Sequence, residues 1–115
     1  MSKVRLIGIG RVKDYNATVD AVQSVAALAA ELDGVLKWEA FIDEASGTLV
    51  LTEEFASDAA LAEYEKKVSQ RGLRPVIGAA MDLEQLMVLS TIEDPSLNEA
   101  LDDLGAIRAT KIASK

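Results

Sequence analysis

Residues 35–64 constrain the fold of this chain more than any other stretch. Apolar and polar residues alternate over residues 35–42 and again over 48–55, with Asp, Ser and Gly in the short segment between them. That pattern predicts a tight β-hairpin. Directly afterwards, Ser57 is placed to cap a helix in which apolar residues recur at helical spacing. The sequence therefore predicts a hairpin followed by a helix that packs back over it.

The first predicted strand, residues 4–12, has apolar residues on both faces. Gly8 and Gly10 share a face with Leu6, because side chains alternate along a strand. A glycine inside a strand either permits close approach of a packing helix or leaves an open space beside the sheet. Both interpretations stay open: a packing allowance, or the floor of a cavity.

A second helix is predicted between the first strand and the hairpin, capped by Asp14 or Asn16 and running to about Leu32. Val19, Val22, Ala26, Ala29 and Leu32 are expected along its core-facing side. Residues 71–82 are ambiguous, because glycine and proline interrupt an apolar segment there. We interpret them as a short helical turn or a lid over an opening.

The remaining third of the chain predicts a strand over residues 86–92 and then a small terminal unit. Pro95 precedes Ser96-Leu97-Asn98-Glu99, a capping box that starts a short helix. Residues 107–112 are predicted to add an edge strand, to this subunit or a neighbouring one, or to fray.

This order of elements predicts an α+β fold, the ferredoxin-like split βαβ with a four-stranded antiparallel sheet and two helices on one face. We expect residues 1–92 to form this domain and residues 93–115 to add a helix and strand extension to it. Because the sheet is apolar on both faces, its own helices cover only half of it. The pattern therefore predicts a homodimer.

Composition excludes several classes of function. The net charge of −7, with 12 scattered basic residues among 115, disfavours nucleic acid as a partner. No apolar run approaches the roughly 20 residues of a membrane span, and Met1-Ser2-Lys3 leads straight into a strand, so we expect neither a membrane anchor nor a signal peptide. The absence of cysteine is compatible with a cytoplasmic location, which is our default expectation.

Two segments carry a resemblance to a known family. Gly34-Val35-Leu36-Lys37-Trp38-Glu39, followed by the segment from Leu49 through Glu53-Glu54-Phe55-Ala56-Ser57 to Leu61, resembles the antibiotic biosynthesis monooxygenase superfamily of dimeric α/β barrels. The resemblance covers residues 4–92. It implies a homodimer with an apolar pocket between sheet and helices in each subunit, where small aromatic or quinol substrates react with O2 without metal or added cofactor.

The resemblance also implies site residues. Trp38 matches the aromatic of the family's second strand and would stack on a planar substrate, Phe55 matches the third-strand aromatic, and Tyr64 would donate to a substrate oxygen. Met81 would line the pocket, or fill it together with Met87. Haem-degrading relatives hold iron through a histidine, and this sequence has none, so no haem is expected.

Carboxylates are the remaining candidates for a general base. By strand alternation Glu53 faces the pocket with Leu51, whereas Glu39 and Glu54 face the other side, where Arg5 or Arg11 is available to pair with them. An ion-paired or solvated state is the alternative for each of these carboxylates.

Two functions follow as hypotheses. One is a cofactor-independent monooxygenase in which Trp38 and Tyr64 act on a small aromatic or quinol; the other is a non-catalytic dimeric binding or scaffold module of the same fold. An accessible cavity beside Trp38 favours the first, and a pocket filled by side chains favours the second.

Overall fold

Nine helices and strands follow one another in the computed structural model, which describes residues 3–115. In chain order they are β1 (Val4–Val12), α1 (Tyr15–Ala30), β2 (Val35–Asp43), β3 (Thr48–Phe55), α2 (Asp58–Gln70), α3 (Leu73–Ala80), β4 (Met81–Val88), α4 (Pro95–Asp103) and β5 (Ile107–Arg108). Met1 and Ser2, which the sequence analysis placed directly before the first strand, lie outside the described residues.

The strands form one five-stranded sheet in the order β2-β3-β1-β4-β5. β1 pairs antiparallel with both β3 and β4, and β2 pairs antiparallel with β3. This is the predicted ferredoxin-like α+β arrangement, which is therefore confirmed. The fifth strand is an addition: it spans two residues instead of the predicted six, and it runs parallel to β4 of its own chain.

The hairpin of β2 and β3 forms as predicted. Gly47 adopts a φ of 69° in the turn, and the Ser46 hydroxyl donates to the Asp43 carboxylate at 2.7 Å. A register irregularity between Val35 and Lys37 leaves Leu36 without a partner on β3 and 48% exposed. Strict alternation would place Leu36 in one row with Trp38 and Ala40, and the irregularity removes it from that row.

Helix α1 begins where predicted but is rotated about its axis relative to the expected face. The Asp14 carboxylate accepts from the Ala17 amide at 2.9 Å, so Asp14 and not Asn16 is the cap. The side chains that α1 buries are those of Thr18, Ala21, Val25, Leu28 and Ala29. Thr18 fixes this orientation, because its hydroxyl donates to the carbonyl oxygens of Asp14 at 2.7 Å and Ala80 at 3.0 Å.

The ambiguous segment contains a true helix, α3. Gly72 adopts a φ of 67°, a conformation that glycine tolerates well, and it separates the end of α2 from the start of α3. Pro75 lies in the first turn of α3, where a backbone N–H has no partner within the helix to lose. The proline is therefore compatible with this helix.

The fourth strand lies earlier in the chain than predicted. β4 starts at Met81, opposite Val12, and ends at Val88, opposite Leu6, so the prediction of residues 86–92 was wrong at both ends. An irregularity in the register with β1, between Ile9 and Gly10, interrupts the alternation that would have marked the strand in the sequence.

Helix α4 is also capped by a different residue than predicted. The Asp94 carboxylate accepts from the amides of Ser96 at 2.9 Å and Leu97 at 3.3 Å, and Pro95 occupies the first turn. The capping box that began at Ser96 was therefore placed two residues too late. Leu101 joins the core cluster that also contains Val4 and Phe55, so α4 packs on the same core as the rest of the chain.

The two faces of the sheet differ in cover. Leu6, Leu49 and Val88 are buried on the face that carries the helices. On the opposite face Ile7, Ile9, Val50 and Met87 are only partly buried. That helix-free face retains the apolar centre that led to the prediction of a dimer.

Candidate active site

Two cavities lie between the sheet and the helices and meet at Glu53. The first, which we call the Trp38 cavity, has a volume of about 150 Å³. The second, the α4 cavity, has a volume of about 490 Å³ and is roofed by α4. Leu51, Glu53, Glu65 and Arg74 line both. The two spaces are therefore neighbours that share one wall.

The Trp38 cavity is lined by residues of α1, β2, β3, α2 and α3 and by the first residue of β4. Its apolar lining consists of Ala21, Val22, Val25, Leu49, Leu51, Val68, Ile77 and Met81. A dry apolar cavity of roughly 150 Å³ is known to accept a benzene ring. The space beside Trp38 therefore suits a single aromatic ring.

Trp38 and Tyr64 are joined across this cavity. The indole Nε1–H of Trp38 donates to the Tyr64 hydroxyl oxygen at 3.0 Å. Because that oxygen already accepts a hydrogen bond, the hydroxyl proton is free to point at a ligand. The structure thus brings together the two residues that the resemblance had singled out.

Phe55 packs against the Tyr64 ring and lines neither cavity. Its side chain is fully buried, and its ring centroid lies 5.1 Å from that of Tyr64 with the planes tilted by 52°. A substrate therefore has no access to Phe55. Its place in the site is to hold the Tyr64 ring, which differs from the expected contact with substrate.

Glu53 projects from β3 toward both cavities, on the face shared with Leu51 that the alternation predicted. Burial raises the pKa of the Glu53 carboxyl to about 8, and the charge of Glu65 adds to the rise, while the Trp38 indole opposes it. A carboxyl with this pKa changes protonation state near neutral pH, which is what a general base requires.

The Tyr64 hydroxyl is held in its neutral form. Burial raises its pKa further above the ordinary value for tyrosine, and the negative charge of Glu53 has the same effect. A neutral Tyr64 hydroxyl can donate a hydrogen bond but cannot act as a base. Beside it, the Glu53 carboxylate can accept a proton.

An ion pair stands at the wall that the two cavities share. Arg74 of α3 donates to the carboxylate of Glu65 on α2, and its Nε donates to the Ser69 hydroxyl at 2.8 Å. Both charged side chains are substantially exposed. Sequence reasoning missed these two residues, since their meeting depends on α3, a helix that the sequence left ambiguous.

The two glycines of β1 have different surroundings. A Cβ on Gly8 would lie 3.4 Å from Leu83 Cδ1, an ordinary contact, and Gly8 forms part of the floor of the α4 cavity. A Cβ on Gly10 would lie 2.2 Å from the terminal methyl of Met81. A side chain at Gly8 would therefore contact Leu83 and Leu51 without a clash, whereas Gly10 makes room for Met81, whose side chain also reaches the wall of the Trp38 cavity.

The other acidic candidates lie away from both cavities. Glu54 pairs with Lys3 at 3.3 Å and with Arg5 at 3.5 Å, and Glu39 pairs with Lys37 at 3.3 Å. Arg11, offered as a partner for them, pairs with Glu84 instead. Among residues 3–115 no group of acidic side chains is arranged to hold a metal ion.

None of the helices in residues 3–115 is long and apolar enough to cross a membrane.

Solved structures share this fold. MupZ from Pseudomonas fluorescens superimposes with a TM-score of 0.83 over 100% of this chain and 94% of its own, at 8% identity. SnoaB, a cofactor-independent oxygenase from Streptomyces nogalater, gives a TM-score of 0.68 over 83% and 98% of the two chains, at 10% identity. An antibiotic biosynthesis monooxygenase gives 0.64 over 78% and 99%, at 17% identity.

The sequence matches no protein-family model and no curated protein. At these identities the structural similarity establishes the fold. The resemblance to antibiotic biosynthesis monooxygenases, first indicated by the strand motifs, is thereby confirmed at the level of the fold.

Proposed function

We propose that this protein is a cofactor-independent monooxygenase that oxidises a small aromatic or quinol-type substrate with O2 in the Trp38 cavity. The observation that carries the proposal is the convergence of Glu53, Tyr64 and Trp38 on one apolar space large enough for an aromatic ring. The fold shared with SnoaB, a cofactor-independent oxygenase, supports it.

In the proposed reaction the substrate ring lies against the Trp38 indole. The Tyr64 hydroxyl donates to the substrate oxygen, and the Glu53 carboxylate takes the proton that leaves the substrate. The apolar walls exclude water from the resulting anion, and the Tyr64 donor stabilises its charge. Each of the three side chains thus has one role: stacking, donating or accepting a proton.

The anion is the species that reduces O2. For a hydroquinone, one atom of O2 is added to a ring carbon, which gives a hydroxyquinone, and the other atom leaves as water with two hydrogens of the substrate. The substrate itself supplies all the electrons, so no external reductant is needed. The protein has to bind, orient and deprotonate the substrate, which are tasks for the residues described above.

We further propose that the protein works as a homodimer through the helix-free face of the sheet. Ile7, Ile9, Val50 and Met87 form its apolar centre, with the Glu54 ion pairs beside them. Phe41, placed on this face by strand alternation, is 54% exposed in the single chain. A second copy would cover this apolar area.

Oxygen consumption with a panel of hydroquinones and anthrones tests the proposal. We expect turnover by the wild type that rises as the pH passes about 8, because the Glu53 carboxylate forms there. Tyr64→Phe removes the donor and is expected to lower kcat/KM by about 10- to 100-fold.

Tyr15→Phe is the matched control, since Tyr15 is 41% exposed on α1 and lines neither cavity. It should leave the rate unchanged. Circular dichroism of each variant establishes that it is folded. Tight binding of the panel without oxygen consumption would contradict the enzyme and favour a binding module.

A further inference from the structure

We propose that the α4 cavity is a second subsite, which takes an aliphatic chain attached to the aromatic ring of the ligand. The substrate class is then phenols or hydroquinones that carry an alkyl chain. This inference rests on the proposed function, since it places the ring in the Trp38 cavity.

The adjacency of the two cavities is the first support. A ligand whose polar ring atoms approach Glu53 lies at the wall common to both spaces, because Glu53 and Leu51 line each of them. The Trp38 cavity holds about 150 Å³, which one ring fills. A chain on that ring needs further apolar space, and the α4 cavity is the apolar space on the other side of the shared wall.

The lining of the α4 cavity determines what kind of substituent it suits. Leucines dominate its walls: Leu6, Leu61, Leu83, Leu86, Leu97 and Leu104. Leu83 is 44% exposed and Leu104 is 61% exposed, so both leave apolar surface at this cavity unburied. An aliphatic chain would cover that surface, and burial of the chain itself would add to the binding free energy.

The roof of the cavity is fixed in place. Asp58 at the start of α2 accepts from the amides of Glu93 and Asp94, each at 2.9 Å, and so holds the beginning of α4. At the other end Arg108 donates to Asn98 and Asp102, each at 2.8 Å. The α4 cavity is therefore a space built into the fold and not a gap under a loose tail.

Binding of 2-ethylphenol, 2-butylphenol and 2-hexylphenol, followed by the fluorescence of Trp38, tests the subsite, because an ortho chain leaves the ring beside the hydroxyl and therefore beside Glu53. Trp38 is the only tryptophan in the chain, and it lines the neighbouring cavity. In the wild type we expect Kd to fall by about two- to fourfold per added methylene, as for burial of methylenes in an apolar site.

Two variants fill the cavity from opposite sides. Gly8→Val adds bulk to its floor, and Ala100→Phe adds bulk to its roof. Each is expected to abolish the dependence of Kd on chain length. Ala59→Phe makes the same change as Ala100→Phe at an exposed position on α2 that lines neither cavity, and it should retain the wild-type dependence.

The outcomes separate the subsite from the enzyme. Equal Kd for all three phenols in the wild type, or a dependence that persists in both filled variants, overturns the subsite. The subsite is also overturned if Ala100→Phe loses self-association but keeps the dependence of Kd on chain length. That result would assign the cavity to contact with a second copy of the chain. Chain-length dependence without oxygen consumption upholds the subsite and contradicts the monooxygenase; the absence of any binding overturns both.

Discussion

Glu53 and Glu54 are sequence neighbours in opposite environments, because successive side chains of a strand point to opposite faces. Glu53 faces the two cavities, whereas Glu54 faces Lys3 and Arg5. The acid–base character of the site is thus a consequence of strand geometry. Glu54 also provides a natural control for any substitution at Glu53.

Glu53→Gln is expected to alter how stability depends on pH. Since folding raises the pKa of the Glu53 carboxyl from 4.5 to about 8, its stabilising contribution is complete below about 4.5 and is lost as the pH rises through 8. Above pH 8 the free energy of unfolding of the glutamine variant should exceed that of the wild type by about 1–3 kcal/mol. This is less than the whole pKa change corresponds to, because water in the cavity solvates the carboxylate.

Urea denaturation at pH 5 and pH 9 measures this difference. Glu54→Gln removes a partly buried carboxylate that pairs with two exposed basic side chains, and it is expected to change the free energy of unfolding by less than about 1 kcal/mol at either pH. If wild type and Glu53→Gln show the same pH dependence, the Glu53 carboxyl does not lie in an apolar site.

At the residue scale, strand alternation was enough to place Glu53 toward the pocket, and the family motifs were enough to find Trp38 and Tyr64. Alternation could not reveal Glu65 and Arg74, because their ion pair joins two helices. Nor could it separate Gly8 from Gly10. The difference between them depends on the conformation of Met81, which sequence patterns do not encode.

Helix α4 is attached to the rest of the fold at two places. Its first turn is attached to α2 through Asp58, and Leu101 anchors its middle in the core. The division of the chain at residues 92 and 93 into a domain and its extension stays a prediction. The contacts of α4 favour treating residues 93–115 as part of the same folding unit.

Asp58→Ala tests whether α4 folds with the rest of the chain. The substitution removes two charge-assisted hydrogen bonds to the amides of Glu93 and Asp94. We expect a loss of about 1–3 kcal/mol in the free energy of unfolding, measured in urea. Asp20→Ala, at an exposed position on α1, should cost less than about 0.5 kcal/mol. Equal effects of the two variants would show that the attachment contributes nothing to stability.

Among the elements, the hairpin and α2 were predictable because turn residues, alternation and the Ser57 cap agree with one another. The Ser57 hydroxyl accepts from the Ala60 amide at 3.2 Å, as a cap does. β4 was misplaced because its irregular register breaks the alternation, while the apolar residues after Val88 continue a pattern that resembles a strand. In that case tertiary pairing overrode the local signal.

At the scale of the whole molecule, the proposed dimer depends on the helix-free face of the sheet. We expect sedimentation equilibrium to give a dimer at micromolar concentration. Val50→Lys places a charge at the apolar centre of that face and is expected to produce a folded monomer. Val76→Lys, on α3 and 47% exposed, is the matched control and should remain dimeric. A wild-type monomer under these conditions would contradict the proposed assembly.

The cavities were the least predictable feature of the whole molecule. The apolar strand faces indicated that a pocket would form, but its division into two spaces depends on how α3 and α4 pack on the sheet. Neither helix has a sequence signal that fixes its angle to the strands. Packing of this kind emerges only when the elements are assembled.

The proposed function requires that O2 reacts with an aromatic substrate in the Trp38 cavity after Glu53 has removed a proton. Mass spectrometry of the product formed from a hydroquinone under isotopically labelled O2 tests this requirement most directly. We predict one labelled oxygen atom in each product molecule made by the wild type and by Glu54→Gln, and a rate no faster than the uncatalysed reaction with Glu53→Gln. Product that lacks the label, or equal rates for Glu53→Gln and wild type, would contradict the account.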